Sequence, residues 1–142
     1  DANLTIDSST SFEETATYIV EGWNLTINGD IDAGNKNIAF VVKGWNITIT
    51  DNVNSIDGTY IVIGDGYSIG WTPTDQRLVV NGSLYGDINP LVASRQYVKS
   101  DDEGNLSVWT VVNFGSSIFK KPAPLVGQFV GRRYLCFKPL LC

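Results

Sequence analysis

The 142-residue chain contains no histidine. That removes Ser-His-Asp and Cys-His pairs, a His-based zinc site and an imidazole general base. Carboxylates remain for acid–base work. Asp30 and Asp32 alternate on one strand face, and Asp101, Asp102 and Glu103 share a solvated loop. A glycosidase needs two such groups across a sugar ring. Asp30 and Asp32 flank a turn, however, and read better as turn formers. Asp30, Asp32 and Asn35 offer oxygen ligands for calcium, as does Asp65 in a glycine-rich turn. Neither the EF-hand spacing nor the nonapeptide calcium repeat is present. Gly64 and Gly66 do not belong to a phosphate loop. We therefore expect no catalytic residue, no metal site and no cofactor.

Aromatic rings are the next candidates. Trp23, Trp45 and Trp71 recur after or near glycines, with Tyr67 and Tyr85 close by. Exposed rings of this kind stack on sugars. The plainer reading is packing at a core or corner, because Trp23 and Trp45 share the parity of Leu25 and Ile47. Five N-x-[ST] sequons add candidate glycosylation sites at Asn3, Asn24, Asn46, Asn81 and Asn105. Period-two alternation points Asn24 and Asn46 outward. The plainer alternative is turn asparagines followed by strand hydroxyls. Cys136 and Cys142 are candidates for a disulfide with each other or with another chain, or stay free.

Charge is unevenly placed. Residues 1–103 carry all 15 acids and 5 bases, a net of −10, while residues 104–142 carry 5 bases and no acid. The overall −5 argues against nucleic acid as a partner. Lys120, Lys121, Arg132 and Arg133 can lie along the acidic body of the same chain. They can equally contact an acidic neighbour, which makes them candidate assembly contacts. No run of ~18 apolar residues is present, so no membrane span is expected. The absence of methionine points to a processed chain, an excised domain or a fragment.

The elements that hold these residues repeat. Tyr18-Ile-Val-Glu-Gly-Trp-Asn-Leu-Thr-Ile-Asn28 aligns with Phe40-Val-Val-Lys-Gly-Trp-Asn-Ile-Thr-Ile-Thr50 at an offset of 22. Weaker copies start at Tyr60 and Leu78, with offsets of 20 and 18, and a degenerate one at Thr110. Each copy alternates with period two and is rich in β-branched residues. A glycine joins its two short strands. Turn formers such as Asn28-Gly29-Asp30 and Ile56-Asp57-Gly58 separate the copies.

A repeat of this length fits an all-β, right-handed parallel β-solenoid (β-helix) of about four to five coils. Equivalent positions then stack ~4.8 Å apart. Glu21 falls over Lys43, Trp23 over Trp45 and Asn24 over Asn46. Thr26, Thr48 and Ser68 form a hydroxyl file, and Ile27, Ile49 and Ile69 an apolar one. The alternative is an antiparallel sandwich or jelly roll. The expected division is an N-terminal cap or strand over 1–17, solenoid repeats over 18–117 and a basic, Pro-containing tail over 118–142.

Three segments carry a resemblance. They are Ile38-Ala-Phe-Val-Val-Lys-Gly44, Asn54-Ser-Ile-Asp-Gly-Thr-Tyr-Ile61 and Leu78-Val-Val-Asn-Gly-Ser-Leu-Tyr85. Ser94-Arg95, Tyr97 and Ile118-Phe-Lys-Lys-Pro-Ala-Pro124 follow in the same order. Together, over roughly residues 18–124, they resemble the β-solenoid module of large secreted or pilus-associated surface proteins from uncultured small-genome bacteria. The resemblance implies no catalytic site, and it does not extend over Val126 to Cys142.

The expected function is a non-enzymatic, extracellular or cell-surface structural and adhesive module. Its partner is a copy of itself, as in a head-to-tail filament, or a neighbouring surface protein. One alternative is a carbohydrate-binding or carbohydrate-active β-helix module that takes glycans. Another is a viral capsid or tail-fibre component.

Overall fold

The computed structural model describes residues 3–8, 10–72, 76–94 and 110–113. Within them the chain runs β1 (Asn3–Ile6), β2 (Ala16–Glu21), β3 (Asn24–Ile27), β4 (Ile38–Lys43) and β5 (Ile47–Ile49). It continues with β6 (Ser55–Ile63), β7 (Ile69–Trp71), β8 (Leu78–Tyr85), α1 (Asn89–Ser94) and β9 (Thr110–Asn113). Successive strands alternate between two sheets. Sheet A has the order β1-β3-β5-β7 and sheet B the order β2-β4-β6-β8-β9, and every pairing is parallel. This is a right-handed β-solenoid of about four turns. Among the described residues no helix is long and apolar enough to cross a membrane.

The core lies between the sheets. From sheet A it takes Leu25, Ile47 and Ile69 on one file and Ile6, Ile27 and Ile49 on the next. From sheet B it takes an aromatic column. Phe40 stacks on Tyr18 at 5.1 Å and on Tyr60 at 5.6 Å between ring centroids. Phe12, from the loop before β2, sets its edge against Tyr18 and Phe40. At the far end α1 packs against β7 and contributes the buried Leu91.

The register confirms part of the predicted stacking and corrects the rest. Glu21 pairs with Lys43 and Thr26 with Thr48, at the expected offset of 22. In the third copy Lys43 meets Ile63, an offset of 20, but Ile47 meets Ile69, an offset of 22. The corner from Gly64 to Ser68 holds two more residues than the corner from Gly44 to Asn46. Thr48 therefore lies beside Gly70 rather than Ser68, and Ile49 beside Trp71 rather than Ile69.

The fourth copy moves further. Tyr60 pairs with Leu84, not Leu78, so the offset is 24 instead of 18. The glycine four residues after Leu78 is not a corner glycine like Gly22 and Gly44. Gly82 pairs with Gly58 in mid-strand. Gly58 has φ 114°, which L side chains rarely adopt, and a Cβ on Gly82 would stand 1.7 Å from the Gly58 carbonyl oxygen. Before this point β6 lies beside Ile31, and after it beside β4.

The stack also begins earlier than residue 18. β1 pairs with β3 as Asn3↔Asn24 through Ile6↔Ile27, so residues 3–6 form a half-coil of sheet A.

Candidate functional site

Of the carboxylates considered for chemistry, Asp30 holds neighbouring coils together. Asp30 Oδ1 accepts the backbone N–H groups of Asn54 at 2.6 Å and Ser55 at 3.0 Å. Asp32 Oδ1 accepts the N–H of Gly34, closing a local turn. Asp57 accepts the N–H of Ala33 on Oδ2 and an amide proton of Asn81 on Oδ1. Asp65 and Asn35 lie exposed in separate turns. Among the described residues no group of three or more His, Cys, Asp or Glu could hold a metal ion.

The sequon asparagines form ladders of the same kind. Asn24 Nδ2 donates to Asn3 Oδ1, Asn46 N–H donates to Asn24 Oδ1, and Ser68 N–H donates to Asn46 Oδ1. Asn24 and Asn46 are half-buried and bond along the stack, where alternation alone points them outward. A second ladder runs from Asp57 to Asn81 to Asn113. Asn3 and Asn81 are exposed. Tyr60 donates its hydroxyl to the Asp57 carbonyl at 2.7 Å. Burial, and then the Asp57 charge, hold this phenol well above the ordinary tyrosine range.

The tryptophans separate. Trp45 packs half-buried against the core, whereas Trp23 is 50% exposed at its corner. Tyr67 packs against the core and Tyr85 against the outside of sheet B. Asn105, Lys120, Lys121, Arg132, Arg133, Cys136 and Cys142 lie outside the described residues, as do Asp101, Asp102 and Glu103.

What the structure brings together, and sequence alone did not show, is apolar surface at the two ends. Leu4 occupies the same inward file as Leu25, in the same tetrapeptide Asn-Leu-Thr-Ile. Leu25 is fully buried, but Leu4 is 43% exposed, and among the described residues no strand stacks beyond β1. The exposed large hydrophobics among the described residues are Leu4, Ile19, Trp23, Ile88 and Val92. The first three belong to the first coil and the last two to the turn and helix that close sheet A. Among the described residues, strands β1 and β2 each pair with a strand on one side only. The outermost strand of a parallel sheet is where a further strand can add.

Family models, curated proteins and solved structures were compared with the chain, and none matches it. The fold places it among the parallel β-solenoids.

Proposed function

We propose that this chain is a non-enzymatic structural or adhesive module of the cell surface that associates end to end. The observation that carries this reading is that, among the described residues, the exposed large apolar side chains lie at the two ends of the stack. One end has Leu4 and the outermost described strands of the two sheets, β1 and β2; the other has Ile88 and Val92. Different surfaces meeting head to tail give a contact that does not close on itself, and so a filament. The partner is a second copy or the terminal coil of a neighbouring surface solenoid, as the resemblance to secreted and pilus-associated modules implies. The polar ladders along the body resist lateral sticking, since their groups are already paired with adjacent coils.

Sedimentation velocity and negative-stain microscopy test the proposal. The full chain should form linear species that lengthen with concentration. Leu4→Asp and Val92→Asp, at opposite ends, should each return it to monomers without changing its circular dichroism. A chain that stays monomeric at all concentrations, or is unaffected by both substitutions, contradicts the proposal.

A second reading rests on Trp23. A half-exposed indole at a solenoid corner offers a stacking face for a sugar ring. Glycan-array binding that Trp23→Ala abolishes would favour a carbohydrate-binding module.

A further inference from the structure

Four of the five N-x-[ST] sequons lie on or beside described strands, and the fold does not treat them alike. Transfer of a sugar to such a site needs the asparagine Nδ2 and the hydroxyl two residues on, both presented to an enzyme outside the sheet. Asn24 and Asn46 are half-buried, as are Thr26 and Thr48, and the residues between them, Leu25 and Ile47, are buried in the core. Strands β3 and β5 each pair with a strand on both sides, and Asn24 Oδ1 and Asn46 Oδ1 accept the N–H groups of Asn46 and Ser68. Asn81 is exposed, but its Nδ2 donates to Asp57 Oδ1, the sequon hydroxyl on Ser83 is buried, and β8 lies between β6 and β9. Asn3 differs on each count. Asn3, Leu4 and Thr5 are all exposed. Asn3 accepts a bond on Oδ1 from Asn24 and, among the described residues, donates none from its own Nδ2. Among the described residues β1 pairs with β3 alone, so drawing Asn3, Leu4 and Thr5 out of the sheet breaks the pairing with one strand instead of two. A short outermost strand opens locally more readily than strands inside the stack.

We infer that, of the four sequons among the described residues, Asn3 is the one that accepts an N-linked glycan on the folded solenoid, from a polyprenyl-diphosphate-linked oligosaccharide. Asn3 Nδ2 forms a bond to the anomeric carbon and gives up one proton. The bond from that carbon to the diphosphate oxygen breaks, and the polyprenyl diphosphate leaves. Thr5 supplies the sequon hydroxyl. Leu4 lies in the inward file with Leu25, so Asn3 and Thr5 face outward on sheet A. The sugar therefore stands at the first rung, away from the core. Asn24-Leu-Thr-Ile27 is the same tetrapeptide one rung further in and differs in its packing. Folding thus selects one acceptor between two sites that share a sequence. The assignment does not depend on end-to-end association.

Glycan transfer in vitro tests the assignment on the folded full chain at monomeric dilution. An Asn105→Gln background removes the sequon that lies outside the described residues. The probe is a purified eukaryotic oligosaccharyltransferase with its lipid-linked oligosaccharide, and peptide mass spectrometry reads each site. The folded chain should be modified at Asn3 at least about tenfold faster than at Asn24, Asn46 or Asn81. Thr5→Val should abolish transfer to Asn3 while circular dichroism is retained. Free peptides of residues 1–8 and 22–29, which share Asn-Leu-Thr-Ile, should be modified at similar rates. Equal transfer to Asn24 or Asn46 in the folded chain, or an Asn3 left unmodified in it, overturns the inference. So does a gap between the two peptides as wide as that in the folded chain, which would assign the preference to sequence.

Discussion

Sheets A and B enclose one core and pair in the same parallel sense, but they solve different problems. Sheet A is a wall with one wet face. Its strands are short and alternate cleanly, with Leu25, Ile27, Ile47 and Ile49 inside and Thr26 and Thr48 outside. Sheet B has a strand, β4, with buried residues on both of its faces. Its strands run to nine residues, and Ile38-Ala-Phe-Val-Val42 is buried throughout. Alternation between apolar and polar marks a strand with one dry face, and an unbroken apolar run marks one with two. The difference shows that a repeat in sequence does not imply equivalent walls in space.

The contrast can be broken by substitution. The largest effect is expected in the aromatic column: Phe40→Ala should cost ~3–5 kcal/mol in chemical unfolding, because Tyr18 and Tyr60 cannot close the gap. Next comes a charge on each outer face. Val41→Asp in sheet B should cost ~3 kcal/mol or more, as an unpaired buried charge. The corresponding Thr48→Asp in sheet A should cost about 0.5 kcal/mol. Equal effects would erase the distinction between the sheets.

Tyr60 makes a pH-dependent version of the same point. Its pKa is raised in the folded chain, so above pH ~10 the unfolded state loses a proton that the folded state keeps. Stability should be unaffected by this group below that pH and should fall by up to ~1.4 kcal/mol per pH unit above it. Tyr60→Phe should flatten that alkaline slope in urea titrations. A modest effect is expected at the sheet A corner. Asn46→Ala leaves the Ser68 N–H without its acceptor, for ~1 kcal/mol.

Much of this architecture was legible in the residues. The copies at Tyr18 and Phe40 specify a parallel register, and Glu21 over Lys43 follows as an ion pair. The later copies were harder because corners differ in length. Two extra residues at Gly64–Ser68 leave the motif recognisable but shift every rung after it. Leu78-Val-Val-Asn-Gly82 imitates the strand-to-corner pattern, yet Gly82 answers to the mid-strand Gly58. The half-coil at Asn3-Leu-Thr-Ile6 repeats Asn24-Leu-Thr-Ile27 and was findable as a tetrapeptide, but it lacks the sheet B half that defines the other copies.

The candidate site was less legible for a physical reason. Leu4 and Leu25 have identical neighbours in sequence and opposite exposure, because exposure depends on rank in the stack. Asp30 and Asn24 likewise show their role only when residues 22 to 25 positions away arrive beside them.

The most direct test of the stacking itself is a disulfide between neighbouring rungs. With Cys136 and Cys142 replaced by serine, Thr26→Cys and Thr48→Cys are opposed across parallel strands. Strand spacing of ~4.8 Å falls within disulfide reach. Mild oxidation should close an intramolecular bond in nearly all molecules and preserve the β-type circular dichroism. Failure of that pair to oxidise, beside ready closure of a pair designed for an antiparallel register, would contradict the solenoid.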